Sequence, residues 1–305
     1  MTRILWTQKQ DAGPAPRAYS AMAYDSNRGR TVLFGGTGVI ATNLFADTWE
    51  WDGENWMQMG DSGPPALEAA AMAHDVQRNQ TVLFGGSGSG GHVNGDTWGW
   101  DGRNWTQLAD SGAFPRANFA MAYDSKRQRI VVFGGYSGTG TQLADTWEWD
   151  GAAWTQLAVT GPAARRGHVM AYDSTRDRSV LFGGLDHTGL NTLGDTWEWN
   201  GSVWTQVRDF GTAPCALASL AFKGDSVALF GGVSAWLSVP DVKLYGSTWT
   251  WNGGNWTLRQ DFAPSPRFAH SMCYDTKRGT LVLFGGVISP QSGPVADTWE
   301  HSEGP

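Results

Sequence analysis

The stretch Thr31-Val-Leu-Phe-Gly-Gly36, followed by Asp47-Thr-Trp-Glu-Trp51 and Asp52-Gly-Glu-Asn-Trp56, decides the fold. Its pattern returns five more times. An apolar run closes on Gly-Gly after Phe34, Phe84, Phe133, Phe182, Phe230 and Phe284, so successive units lie 50, 49, 49, 48 and 54 residues apart. The aromatic mark returns as Asp96-Thr-Trp-Gly-Trp100, Asp145-Thr-Trp-Glu-Trp149, Asp195-Thr-Trp-Glu-Trp199, Ser247-Thr-Trp-Thr-Trp251 and Asp297-Thr-Trp-Glu-His301. A fixed period of this length marks a repeat architecture.

Each unit reads as four short strands. The first starts from a Pro-Arg pair, as in Pro16-Arg-Ala-Tyr-Ser-Ala-Met-Ala-Tyr24. The second is Thr-Val-Leu-Phe, ending where two glycines permit backbone angles that a side chain forbids. The third, Asp-Thr-Trp-Glu-Trp, alternates as a half-buried strand does. The fourth is Trp-Thr-Gln-Leu, joined to the third by an Asp-Gly or Asn-Gly turn. No stretch carries a helical stripe of useful length. The sixth unit stops after Trp299-Glu-His301 and lacks its Trp-Thr-Gln strand, while Leu5-Trp-Thr-Gln8 stands at the other end of the chain. An open array has no use for that split. A ring does, because pairing the first strand into the last sheet closes the circle and removes an exposed edge. The expected fold is all-β: a single closed six-bladed β-propeller, four antiparallel strands per blade. Its blades fall at about 17–59, 67–108, 116–157, 165–207, 215–258 and 267–301 plus 4–8.

These residues resemble the kelch repeat family, whose period is near 50 and whose hallmark is an apolar strand, Gly-Gly and spaced aromatics. The resemblance covers all six units. It departs in the fifth, where Ser247 replaces Asp, the first hairpin (Phe222-Lys-Gly-Asp225) is short and one loop is long. It implies that the Pro-Arg strand is innermost and the Trp-Thr-Gln strand outermost. The loops into Pro-Arg and those after Gly-Gly would then share one face, around the channel mouth. Kelch proteins include partner-binding platforms, sugar mutarotases and metal-dependent isomerising enzymes, so the resemblance sets a fold and leaves function open.

Composition removes other classes. With 41% apolar and 17% charged residues the chain is not a disordered polymer. No segment approaches the roughly 18 apolar residues of a membrane span. Met1–Gln10 has no apolar core of a signal peptide. A net charge of −7 disfavours nucleic acid and anionic lipid as partners. Two cysteines are too few for a disulfide framework, so a cytoplasmic, monomeric protein with free thiols is expected. Cys215, near the mouth, is expected to be the accessible one.

The six units supply their own baseline for candidate site residues. The Arg position reads Arg17, Leu67, Arg116, Arg165, Cys215 and Arg267, a structural set that bonds backbone. Five residues further on, Met22, Met72, Met121, Met170 and Met272 read as packing between blades, since a thioether fills irregular gaps. Positions one and three beyond the Arg point the same way on a strand of period two. Against a small-residue background, Glu68, Arg166, His168 and His270 stand out there. Aimed at one small molecule in the mouth, Glu68, His168 and His270 could exchange protons while Arg166 holds an anionic group. Isomerisation, elimination or cyclisation would suit that set. Tyr19, Phe119 and Phe268 would wall the site. The alternative is a non-catalytic kelch platform for a ligand or a protein. Further ligand-binding candidates are Cys215, Asp186-His187 after Gly-Gly, and Trp236, the one tryptophan outside the repeat positions, beside Asp241 and Tyr245; His92 with Asn94 also follow Gly-Gly. No ligand spacing recurs as a zinc motif would, so no metal and no cofactor is expected. His74 and His301 occupy repeat positions and read as structural.

Overall fold

Among the described residues, twenty-four strands form six four-stranded antiparallel sheets arranged as the blades of a closed ring. The computed structural model describes residues 4–9, 12–39, 43–60, 62–209, 211–235, 241–260 and 264–303. Among the described residues the one helical element is the 3-10 turn Ser89–Gly91. None is long and apolar enough to cross a membrane. The first blade shows the plan: Ala21–Asp25 innermost, then Arg30–Phe34, Thr48–Trp51 and Trp56–Gly60 outermost. In the last blade Ile4–Gln8 lies antiparallel to Thr298–Glu303, with Trp6 opposite His301. The N-terminal strand therefore closes the ring.

Side chains explain why the blades stack. The second strand of each blade is sandwiched between two neighbouring blades, and Val32, Leu33 and Phe34 are fully buried. A continuous apolar run suits a strand covered on both faces. The first indole of each fourth strand donates its N–H to the threonine of the preceding blade's third strand. Trp56 reaches Thr298, Trp105 Thr48, Trp154 Thr97, Trp204 Thr146, Trp256 Thr196 and Trp6 Thr248, at 2.8–3.0 Å. The closing seam is built like the other five. The Gly-Gly pair has a steric cause as well. Gly35 has φ +67°, and a Cβ there would lie 2.5 Å from the carbonyl oxygen of Leu67 in the next blade.

Arg17, Arg116, Arg165 and Arg267 are fully buried and carry more than the backbone contacts expected of them. Each donates from Nη1 to the first glycine carbonyl (Gly35, Gly134, Gly183, Gly285) at 2.9–3.0 Å. Each also forms a two-pronged ion pair with the Asp of Asp-Thr-Trp (Asp47, Asp145, Asp195, Asp297) at 2.6–2.9 Å. The neighbouring indoles of Trp49, Trp147, Trp197 and Trp299 donate to the same carboxylates at 2.6–2.7 Å. The methionine set packs between blades, as with Met22 against Leu33, Trp51 and Cys273. His74 bridges Thr81 and, across the seam, Asn27, and His301 lies edge-on to Trp6.

Candidate functional site at the channel mouth

The innermost strand does not begin at Pro-Arg. It begins four residues later, at Ala21, Ala71, Ala120, Val169, Ser219 and Ser271. Between lies a left-handed residue: Tyr19, Ala69, Asn118, Gly167, Leu217 and Ala269 have φ between +52° and +63°. Five are not glycine, and such a conformation costs each about 1–2 kcal/mol. What holds them is a ring of backbone hydrogen bonds around the mouth. Ala69 N donates to Tyr19 O, Asn118 N to Ala69 O, Gly167 N to Asn118 O, Leu217 N to Gly167 O, Ala269 N to Leu217 O, and Tyr19 N to Ala269 O, all at 2.7–3.0 Å. The period-two expectation fails here for that reason. The residue before the ring pairs with the loop after Gly-Gly (Glu68 with Ser87, Arg166 with Leu185), whereas the residue after it lines the channel.

Glu68 and Arg166 are thus not gathered with His168 and His270. The two histidines line channel cavities of about 150 and 170 Å³, which take in neither Glu68 nor Arg166. Their rings tuck against the preceding blade: His168 on Phe133 at 5.6 Å and His270 on Phe230 at 5.4 Å, both edge-on. Phe119 does the same on Phe84 at 5.4 Å. The histidines fill a slot that an aromatic hydrocarbon fills elsewhere in this chain. His168 Nε2 bonds the Phe133 carbonyl at 3.1 Å. Burial pushes both imidazoles down from 6.5 to about 3, with the nearby Arg165 and Arg267 charges acting in the same direction. At neutral pH both are uncharged.

A test follows from that shift. Between pH 6.5 and about 3 the unfolded chain protonates these imidazoles and the folded chain does not. Their contribution is complete above pH 6.5 and declines as the pH falls towards 3. His168→Phe and His270→Phe are expected to fold within about 1.5 kcal/mol of wild type at pH 7, and to flatten the slope of urea midpoint against pH in that window. Failure to fold at pH 7 would show that the imidazole nitrogens, not the ring shape, are needed.

The structure does bring Tyr19, Glu68 and Arg166 together. Burial first raises the Tyr19 hydroxyl, the Glu68 charge raises it further and the Arg166 charge opposes both. All three groups are therefore in electrostatic reach. Burial also pushes the Glu68 carboxyl up. The Arg166 guanidinium lies 5.3 Å from the centre of the Tyr136 ring, a contact the sequence reading missed.

The remaining candidates separate. Phe119 lines the channel cavities beside the two histidines, whereas Phe268 is buried in an apolar cluster with Leu185, Leu217 and Val233. Cys215 is free, as expected, but buried, and burial pushes its thiol up to about 12; the expectation of an accessible thiol is corrected. Burial alone would raise the Asp186 carboxyl, but hydrogen bonds from Thr188 and Asn191 outweigh it and hold the group at about 2. Asp186 thus closes its own turn, with His187 exposed beside it. His92 is exposed, and Asn94 bonds Asp96. Trp236 lies outside the described residues. Among the described residues no three or more His, Cys, Asp or Glu side chains come together to hold a metal.

A ring of six four-stranded blades, closed by the N-terminal strand and carrying its variable loops on one face, defines a propeller of the kelch architecture. The family model described as the KLHDC2/KLHL20/DRC7 Kelch-repeats domain matches residues 100–257, and the chain belongs to the kelch-repeat family. Among curated proteins none matches it.

Proposed function

We propose that this chain is a non-catalytic binding propeller that docks a protein partner on its variable-loop face. The observation that carries this reading is the division of the mouth by the backbone ring, which separates the buried, uncharged histidines from Glu68 and Arg166. The face outside the ring suits a larger partner. Loops of blades 1, 4 and 6 expose Val39 (68%), Leu190 (53%) and Ile288 (37%), around the partly buried Tyr19, Tyr136 and Arg166. Tyrosine and arginine beside apolar side chains are the residue types that dominate binding energy at interfaces.

A second reading, a small-molecule acid/base site, is favoured by one feature: the raised carboxyl of Glu68 within reach of Tyr19 and Arg166. Affinity capture followed by cross-linking separates the two. Wild type and a control in the outer hairpin turn, Val203→Asp, are expected to retain the same protein partner. Leu190→Asp and Arg166→Glu are expected to lose it, by about tenfold or more in affinity. Retention of that partner by both face variants, with a small molecule converted by wild type and not by Glu68→Ala, would establish the second reading instead.

A further inference from the structure

Blade 5 lacks both members of the buried ion pair, with Cys215 at the arginine position and Ser247 at the aspartate position. There the blade has a cavity of about 210 Å³, lined by Cys215, Gly231, Lys243, Tyr245, Ser247 and Trp249 among others. That volume is several times the roughly 30 Å³ of one water molecule. Blade 2 shows the contrast. It loses only the arginine; Leu67 packs into the apolar core in its place, and Asn94 Nδ2 donates to the remaining Asp96 at 3.0 Å.

The groups that receive the ion pair are still present in blade 5. In blades 1, 3, 4 and 6 the guanidinium donates to the first glycine carbonyl, and from Nε to the carbonyl two residues before the arginine at 3.0–3.1 Å. The indole of the third strand donates to the carboxylate. The blade 5 counterparts are the carbonyls of Gly231 and Ala213 and the indole N–H of Trp249, all belonging to residues that line the cavity. Ser247 adds a hydroxyl where the carboxylate stands elsewhere. By their place in the repeat, two acceptors belong to the place of a cation and two donors to the place of an anion, and Lys243 also lines the cavity.

We propose that the blade 5 cavity binds a small guanidino acid. Its guanidinium takes the place of the missing arginine on the Gly231 and Ala213 carbonyls. Its carboxylate takes the place of the missing aspartate, accepting from Trp249 and Ser247. Both halves are required. A guanidinium alone would sit in a largely enclosed site without a counter-charge, and a carboxylate alone would leave the two carbonyls unmet.

The test is calorimetric titration of the full chain with guanidinoacetate, beside guanidinium chloride and sodium acetate at the same concentrations. Saturable binding of guanidinoacetate is expected, with either half alone weaker by about tenfold or more. The double substitution Cys215→Arg/Ser247→Asp rebuilds the ion pair and is expected to abolish binding. Trp249→Phe removes one donor and is expected to weaken binding by about tenfold, whether or not the double variant folds. The proposal is overturned if guanidinoacetate shows no saturable binding at millimolar concentration. It is equally overturned if acetate or guanidinium binds as tightly, or if Trp249→Phe leaves the affinity unchanged.

Discussion

Asp195→Ala is expected to destabilise the fold by about 3–5 kcal/mol, the usual cost of removing one partner of a buried ion pair. The Asp195 carboxylate accepts two hydrogen bonds from Arg165 at 2.7–2.8 Å and one from the Trp197 indole at 2.7 Å. Arg165 is 1% exposed, so its guanidinium has no water to turn to. The double variant Arg165→Cys/Asp195→Ser copies blade 5 and removes both charges together. It is expected to cost less than the single substitution; Arg165→Cys and Asp195→Ser measured alone complete the double-mutant cycle by urea unfolding that reads the coupling. A single-variant loss below about 1 kcal/mol would show that the guanidinium finds water after all.

The same pairs set the acid limit of the fold. Burial alone would raise the carboxyls of Asp47, Asp145, Asp195 and Asp297, but the bonded arginines outweigh it and hold them below 3.8. Stability from these groups is fully present above pH 3.8 and is lost as the pH falls through the lowered folded values. The histidine slope begins higher, at pH 6.5, so the two sets of groups are separable in one pH series.

The ring and its closure were legible because their signals are local and repeated: Gly-Gly, the Asp-Gly turn, the alternating tryptophans and one strand missing from one end. The mouth was not. The left-handed turn that separates Glu68 from His168 and His270 is made by Tyr19, Ala69, Asn118, Leu217 and Ala269 as well as Gly167. Asn118 and Gly167 favour such a backbone, but the side chains of Tyr19, Ala69, Leu217 and Ala269 carry no local signal for it. What selects it is the ring of hydrogen bonds between blades, whose partners lie about 50 residues apart in five cases and 250 apart where Tyr19 N meets Ala269 O. The buried ion pair lay partly in view. Arg165 and Asp195 are 30 residues apart, and the joint change to Cys215 and Ser247 in blade 5 was visible in the sequence as two separate departures. Their common meaning needs the contact. The histidine position shows a second limit of sequence reading: Phe119 packs edge-on there as His168 and His270 do, so the slot takes either kind of ring.

Deletion of residues 1–9 is expected to remove the cooperative fold at 25 °C. Ile4–Gln8 contributes a full five-residue register against Thr298–Glu303, so its loss leaves the last blade with an unpaired edge, a template for aggregation. Trp6 is buried, packs on Phe230 at 5.4 Å and His301 at 5.0 Å, and donates to Thr248 at 3.0 Å across the seam to blade 5. Trp6→Ala alone is expected to cost about 3–5 kcal/mol. Together with the lost pairing, that approaches the roughly 5–15 kcal/mol total of an ordinary domain. The measurement is a urea titration followed by circular dichroism, with size-exclusion chromatography to detect association. A circular permutant that places residues 4–9 after Glu303 through a flexible linker is the control. It should keep the fold, because the strand acts by pairing and not by where it falls in the chain. A truncated chain that melts within a few degrees of wild type would mean that the ring is held by its five unbroken blades alone.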